Sequence, residues 1–186
     1  HGRAYKITTE GTETPSNMGW FNDTFSWGNL WEAIRQANVA LKELPESTFD
    51  DDELRNRLIG EAYFLRAYYY HQLLRHWGGV PIIDEPYGLD DEYSIARNSF
   101  EECINFIVGD LDEAATRLNG VEETPGRSSR VAALALKSRV LLYAASDLHD
   151  ANTAQSNSSL LAGYGNIDLI AFFDRPSKCH DKVDSP

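Results

Sequence analysis

The sequence predicts an all-α fold built from antiparallel helix pairs of the tetratricopeptide type. Four stretches repeat apolar residues every three or four positions, and each is bounded by residues that start or stop helices. A long acidic loop separates the first two stretches from the last two, so the helices fall into two pairs. With 42% hydrophobic and 11% aromatic residues in 186, the chain can bury a core.

The first predicted helix spans 27–44. Ser26 can cap it, and Pro45 ends it because proline disfavours helical geometry in the residue before it. Residues 1–26, which precede it, are polar and rich in turn formers, and they predict loop or extended chain. The residues that recur on one face of the helix are Trp27, Leu30, Trp31, Ile34, Ala37, Asn38, Leu41 and Leu44.

The second predicted helix spans 50–77, and apolar residues cover much of its circumference. Asp50 can cap it, and the acidic run 50–53 complements the positive end of the helix dipole. Because apolar residues surround so much of the helix, it must pack against neighbours on at least two sides. Gly78 and Gly79 end it, and an extended segment follows at 80–83.

The third and fourth helices are predicted at 100–118 and 129–146. Ser99 and Glu102 form a capping box before the third helix, and the fourth is rich in small residues that allow close helix packing. The pairs 27–44/50–77 and 100–118/129–146 therefore make a helical core over 27–147. The rest, 148–186, is predicted to be loop with a short helix at 167–173 and a non-periodic tail.

Composition excludes several classes of function. A net charge of −12, from 17 basic and 29 acidic residues, argues against binding nucleic acid, whose phosphates need clustered Lys and Arg. No apolar run approaches the ~20 residues that span a bilayer. The two cysteines, Cys103 and Cys179, cannot build a disulfide framework.

No motif indicates an enzyme, a metal site or a cofactor. His71 and His76 are five residues apart and do not share a helix face, and the acidic runs lack the alternating ligands and central glycine of a calcium loop. Cys103 lies on an apolar helix stripe, which favours a buried, inert thiol. The sequence also contains no Gly-x-Ser-x-Gly nucleophile motif. We therefore predict neither catalysis nor a cofactor.

The aromatic residues before the first helix are the best candidates for a ligand site. Trp20 lies in a polar loop together with Asn22 and Asp23. An exposed indole beside amide and carboxylate groups suits a sugar, because its CH groups stack on the ring while its hydroxyls find polar partners. The alternative is that these aromatics pack the N-terminal segment onto the helices, and for Trp27 and Trp31, on the helix stripe, packing is the favoured interpretation.

Four stretches of the chain carry a family resemblance. They are 27–44, 60–70 with 75–83, 97–118 and 126–146, in this order. Together they resemble the SusD/RagB family of nutrient-binding outer-membrane lipoproteins of Bacteroidota, and 60–70 with 75–83 resembles the signature of that family. The resemblance implies a helical scaffold in which Arg66 and Glu61 hold the packing by hydrogen bonds, while variable loops bind the ligand.

The resemblance also implies a function. A member of the family would capture oligosaccharide at the outer-membrane surface, without catalysis, as the lid of a SusC-like TonB-dependent transporter. It would be anchored by an N-terminal lipid, and some relatives take peptides instead. Because family members are much longer and carry an N-terminal cysteine that this chain lacks, we expect a fragment of a longer protein. The alternative function is a helical-repeat scaffold that binds a peptide or protein.

Overall fold

Four α-helices form the regular structure of the described part of the chain. They are α1 (Trp27–Glu43), α2 (Asp52–Trp77), α3 (Phe100–Arg117) and α4 (Arg130–Ala144), each ending within two residues of its predicted bounds. The fold is therefore all-α, as predicted. The computed structural model describes residues 10–12, 14, 25–48, 51–88, 94–121, 124–149 and 158–164.

Side-chain caps fix where the helices begin. Ser26 and Ser129 cap α1 and α4, and Ser99 forms the predicted capping box, with the Glu102 carboxylate accepting from the Ser99 backbone N–H at 2.7 Å. The prediction that Asp50 caps α2 is wrong. The cap is Asp51, whose Oδ1 accepts from the backbone N–H of Leu54 at 2.8 Å, so the helix begins at Asp52.

Ring contacts show that α1 and α2 are antiparallel. Trp27, at the start of α1, lies edge-on to Trp77, at the end of α2, with 5.5 Å between ring centroids. One turn further along α1, Trp31 lies 5.8 Å from Tyr70. The short connection between the two helices leaves them no other way to pack side by side.

The helices α2 and α3 are also antiparallel. Near the start of α2, Asn56 accepts a hydrogen bond from Arg117, the last residue of α3, at 2.8 Å. Near the end of α2, Tyr70 packs edge-on against Phe106 with 4.9 Å between ring centroids. Since α4 packs in turn on α3, each helix lies against the next in chain order.

The core is centred on α2, which contacts the three other helices. This explains its apolar circumference and confirms that it packs on more than one side. The largest fully buried side chains are Tyr70, Phe100, Leu30, Ile34, Leu73, Leu74, Ile104, Ile107, Leu111, His71, Val80 and Val140.

Several predicted features lie outside the described residues. These are the ligand site of Trp20, Asn22 and Asp23, the short helix at 167–173 and the tail that contains Cys179. Among the helices that are described, none is long and apolar enough to cross a membrane.

Candidate functional site

The segment after α2, residues 78–88, forms one wall of a cavity and is fixed by side chains of the helices beneath it. The Tyr70 hydroxyl accepts a hydrogen bond from the Ile83 backbone N–H at 2.7 Å and lies 3.1 Å from the Ile83 carbonyl oxygen. Burial raises the pKa of Tyr70, so its hydroxyl stays protonated and can donate to that carbonyl. One buried tyrosine thus satisfies both backbone groups of Ile83.

Arg66 ties the same segment to three helices. Its Nε and Nη2 donate to the two carboxylate oxygens of Asp110 on α3, each at 2.7 Å. Its Nη1 donates to Asn38 Oδ1 on α1 at 2.9 Å and to the Asp84 carbonyl oxygen at 3.1 Å. Burial alone would lower the pKa of Arg66, but the carboxylate of Asp110 raises it, so the guanidinium stays charged. The predicted packing role of Arg66 is confirmed.

A second set of contacts holds the segment 78–88 to the residues that directly precede α3. The Asn98 side-chain oxygen accepts from the Ile82 N–H at 2.9 Å, and Arg97 Nε donates to the Gly79 carbonyl at 2.6 Å. The Cys103 thiol lies 3.4 Å from both backbone groups of Val80. Burial raises the pKa of Cys103 and keeps it a thiol, which confirms the predicted inert, buried cysteine.

Between this segment and α1 lies a cavity of about 390 Å³, within the size range of small-ligand sites. From here on it is called the α1–loop cavity. One wall is α1 and the other is the segment that Arg66 and Tyr70 hold. It is lined by Trp31, Ile34, Arg35, Asn38, Ile83, Glu85, Tyr87 and Gly88.

The lining combines aromatic surface with complementary polar groups. Trp31 on α1 and Tyr87 on the opposite wall supply aromatic rings, while Arg35 and Glu85 supply a hydrogen-bond donor and an acceptor. Trp31 is held edge-on by Trp27 at 5.5 Å, and Trp27 is itself 42% exposed. Trp31 therefore packs within an aromatic cluster, as favoured from the sequence, and still faces the cavity.

A second concavity, of about 530 Å³, runs between α1 and α2 and is almost wholly apolar. We call it the α1–α2 groove. It is lined by Ala33, Gln36, Ala37, Val39, Ala40, Glu43, Leu44, Leu58, Glu61, Ala62, Leu65 and Tyr69.

The carboxylate of Glu61, at the edge of this groove, forms ion pairs with two arginines. Its Oε1 accepts from Arg127 Nε at 2.8 Å and from Arg57 Nε at 3.2 Å. Burial raises the pKa of Glu61, but the hydrogen bonds from Arg127 and Arg57 outweigh that effect and lower it overall. Because Arg127 precedes α4, the interaction links α2 to the approach to α4 and confirms the predicted packing role of Glu61.

The polar residues of the α1–loop cavity are not predicted from the sequence. Arg35 follows Trp31 by one helical turn, a spacing that could have marked the two as neighbours. Glu85 and Tyr87 gave no such signal, because they lie in a segment recognisable only as acidic loop. The predicted residues Trp20, Asn22 and Asp23 lie outside the described chain and remain a prediction. The described residues contain no cluster of His, Cys, Asp and Glu that could hold a metal ion.

The fold and the cavity define an all-α protein of paired helices with a concave surface lined by polar and aromatic side chains. A SusD-like family model, described as "Starch-binding associating with outer membrane", matches residues 5–142. The chain belongs to this SusD-like family, which confirms the resemblance seen in the sequence.

Individual relatives support the assignment to this family. SusD-like protein P38 of Formosa agariphila is 32% identical over 129 residues, which are 69% of this chain and 24% of that protein. A SusD-like protein of Bacteroides fragilis superposes with a TM-score of 0.61 at 35% identity, covering 66% of this chain and 24% of the other. A laminarin-binding SusD-like protein gives a TM-score of 0.63 at 29% identity, covering 76% and 30%.

A third solved structure, surface glycan-binding protein A of Bacteroides fluxus, has a TM-score of 0.53 at 31% identity and covers 63% of this chain and 26% of that protein. The chain therefore spans about a quarter of the length of the relatives it matches.

Proposed function

We propose that this chain is part of a protein that binds oligosaccharide, and that the α1–loop cavity contributes to the binding site. The observation that carries the proposal is the arrangement of Trp31 and Tyr87 on opposite walls with Arg35 and Glu85 beside them. Sugar rings stack on aromatic faces through their CH groups, and their hydroxyls pair with charged and amide groups. The rigid support of the loop by Arg66 and Tyr70 keeps the cavity preformed.

Relatives support the same ligand class. One similar structure is described as laminarin-binding, another as a surface glycan-binding protein, and the family description names starch. We further propose that the longer protein associates with the outer membrane through an N-terminal lipid, acts as the lid of a SusC-like TonB-dependent transporter and carries out no catalysis. In this proposal, 27–147 is the helical core of a longer polypeptide.

Affinity electrophoresis tests the binding proposal directly. The chain is run through native gels that contain laminarin or starch, and through gels without polysaccharide. We expect retardation by at least one glucan, weakened several-fold by Tyr87→Ala. Lys42→Ala, an exposed change near the far end of α1, serves as the matched control and should migrate like the parent. Unchanged migration in every gel would refute the proposal.

The α1–α2 groove supports the alternative function, a scaffold for a peptide or protein partner. Its lining is almost wholly apolar, and Leu65 is 41% exposed at its edge. Such a groove suits the apolar face of an amphipathic helix better than a sugar. Binding to an immobilised peptide library would be lost in Leu65→Glu and kept in Tyr87→Ala, whereas glycan binding would show the opposite dependence.

A further inference from the structure

We propose that the α1–loop cavity selects neutral oligosaccharides and excludes anionic ones such as uronates and sulfated sugars. This inference rests on the proposed function. It follows from the hydrogen bonds that the side chains lining the cavity can make with a ligand. Sugar hydroxyls donate as well as accept, so a neutral sugar can use Glu85 as an acceptor and Arg35 as a donor together. An ionised sugar carboxylate or sulfate can only accept, so it gains nothing from Glu85.

Arg66 lies behind the cavity wall, where its guanidinium is committed to other groups of the protein. Two of its nitrogens are engaged by Asp110, and the third donates to Asn38 and to the Asp84 carbonyl. It is only 6% exposed. Among the residues that line the cavity the charged ones are Arg35 and Glu85, whose formal charges cancel.

The surroundings add negative charge. Asp84 is exposed and directly precedes Glu85 in the chain. The whole chain carries a net charge of −12. Like charges repel, and such repulsion slows the approach of an anionic polymer and weakens its binding, most strongly at low ionic strength. This repulsion does not act on a neutral glucan, so the binding of a neutral glucan should change little with salt concentration.

Affinity electrophoresis against laminarin, starch and polygalacturonate, at low and at physiological salt, tests this selectivity. The chain should be retarded by a neutral glucan at both salt concentrations and by polygalacturonate at neither. Glu85→Arg should gain at least a several-fold retardation by polygalacturonate. Glu46→Arg makes the same charge change at an exposed position beyond the end of α1 and should gain none.

The outcomes separate this inference from the function on which it rests. Retardation by polygalacturonate as strong as by laminarin, or equal behaviour of the two arginine variants, would overturn the selectivity and leave glycan binding intact. Retardation by no polysaccharide would overturn the proposed function and the selectivity with it.

Discussion

Arg66 on α2 and Asp110 on α3 form a bidentate ion pair, with both nitrogen–oxygen distances at 2.7 Å and both side chains less than a tenth exposed. The guanidinium carbon also lies 4.9 Å from the centre of the Phe106 ring, so one of its faces is covered by an aromatic surface. Through Asp84 and Asn38 the same guanidinium reaches the cavity wall and α1. A packing interaction in the core therefore also shapes the proposed binding site.

The first prediction concerns the removal of this arginine. Arg66→Met should lower the free energy of unfolding by about 3–5 kcal/mol, because it leaves the Asp110 carboxylate buried without its partner. Urea denaturation followed by circular dichroism would measure the loss. The same change removes the hydrogen bond to Asp84, so glycan retardation should fall as well.

A double variant tests whether the unpaired Asp110 carboxylate causes the loss of stability in Arg66→Met. In Arg66→Met/Asp110→Leu no charge is left unpaired, so the combined loss should be clearly smaller than the sum of the two single losses. Strict additivity of the two substitutions would contradict the explanation by an unpaired buried charge.

The second prediction compares two glycines. A Cβ at Gly79 would lie 2.2 Å from the Asn98 carbonyl oxygen and 3.0 Å from the Ser99 carbonyl carbon, so Gly79→Ala must displace the backbone before α3. We expect a loss of at least ~2 kcal/mol, in the range of overpacking effects. Gly109 lies within α3, with nothing within 4 Å of an added Cβ, so Gly109→Ala should stabilise by about 0.5–1 kcal/mol.

Thermal unfolding of both variants provides the measurement. Opposite shifts of the melting temperature are expected, although each change adds a single methyl group. If Gly79→Ala unfolds at the parent temperature, the close approach of the 78–79 turn to Asn98 does not constrain the fold.

The helices could be predicted from the sequence because their signals are local. Ser26, Ser99 and Ser129 cap helices through bonds to backbone N–H groups three residues away, and apolar spacing marks the buried faces. The one capping error, Asp50 for Asp51, arose in a run of acidic residues where any of several carboxylates could serve. The packing role of Arg66 and Glu61 can be predicted because both lie within a specific family signature.

The cavity could not be predicted in the same way because it depends on contacts distant in sequence. Arg35 and Glu85 come to one site only after Asn38 and Arg66 have fixed the segment around Ile83 and Asp84. The partner of Arg66 is 44 residues away, at Asp110, and nothing in the local sequence identifies it. Loops acquire their position from the scaffold beneath them.

The third prediction is a pH dependence that arises from His71. This histidine is 2% exposed, its Nδ1 has no hydrogen-bond partner among the described residues, and its ring lies 6.0 Å from Tyr143. Burial lowers the pKa of His71 to about 4, and the nearby Arg75, Arg139 and His76 act in the same direction. The folded state therefore holds the ring neutral where the unfolded state takes up a proton.

Because the folded pKa lies below the unfolded value of about 6.5, this contribution to stability is complete above pH 6.5 and is lost as the pH falls towards 4. The loss amounts to about 3 kcal/mol at pH 4. His71→Leu should remove that part of the pH dependence. Urea midpoints of both proteins at pH 7, 5.5 and 4.5 would measure it, and parallel curves would show that His71 is not its source.

The fourth prediction tests the residues suggested by sequence alone. If Trp20 stacks on a sugar ring, Trp20→Ala should weaken glucan binding by roughly 1 kcal/mol, about five-fold, the size of one aromatic contact. Asn22→Ala and Asp23→Ala should each cost a similar amount through a lost hydrogen bond. Trp20→Phe, which keeps an aromatic face, should recover most of the affinity.

The relation of Trp20 to the α1–loop cavity can be measured in the same gels. If both regions contact one ligand, the Trp20→Ala and Tyr87→Ala losses should add, and the double variant should bind about twenty-five-fold more weakly, at ~2 kcal/mol. If instead Trp20→Ala migrates like the parent in every glucan gel, the aromatic segment before α1 serves packing, and the cavity walls formed by Arg35, Glu85 and Tyr87 carry the binding.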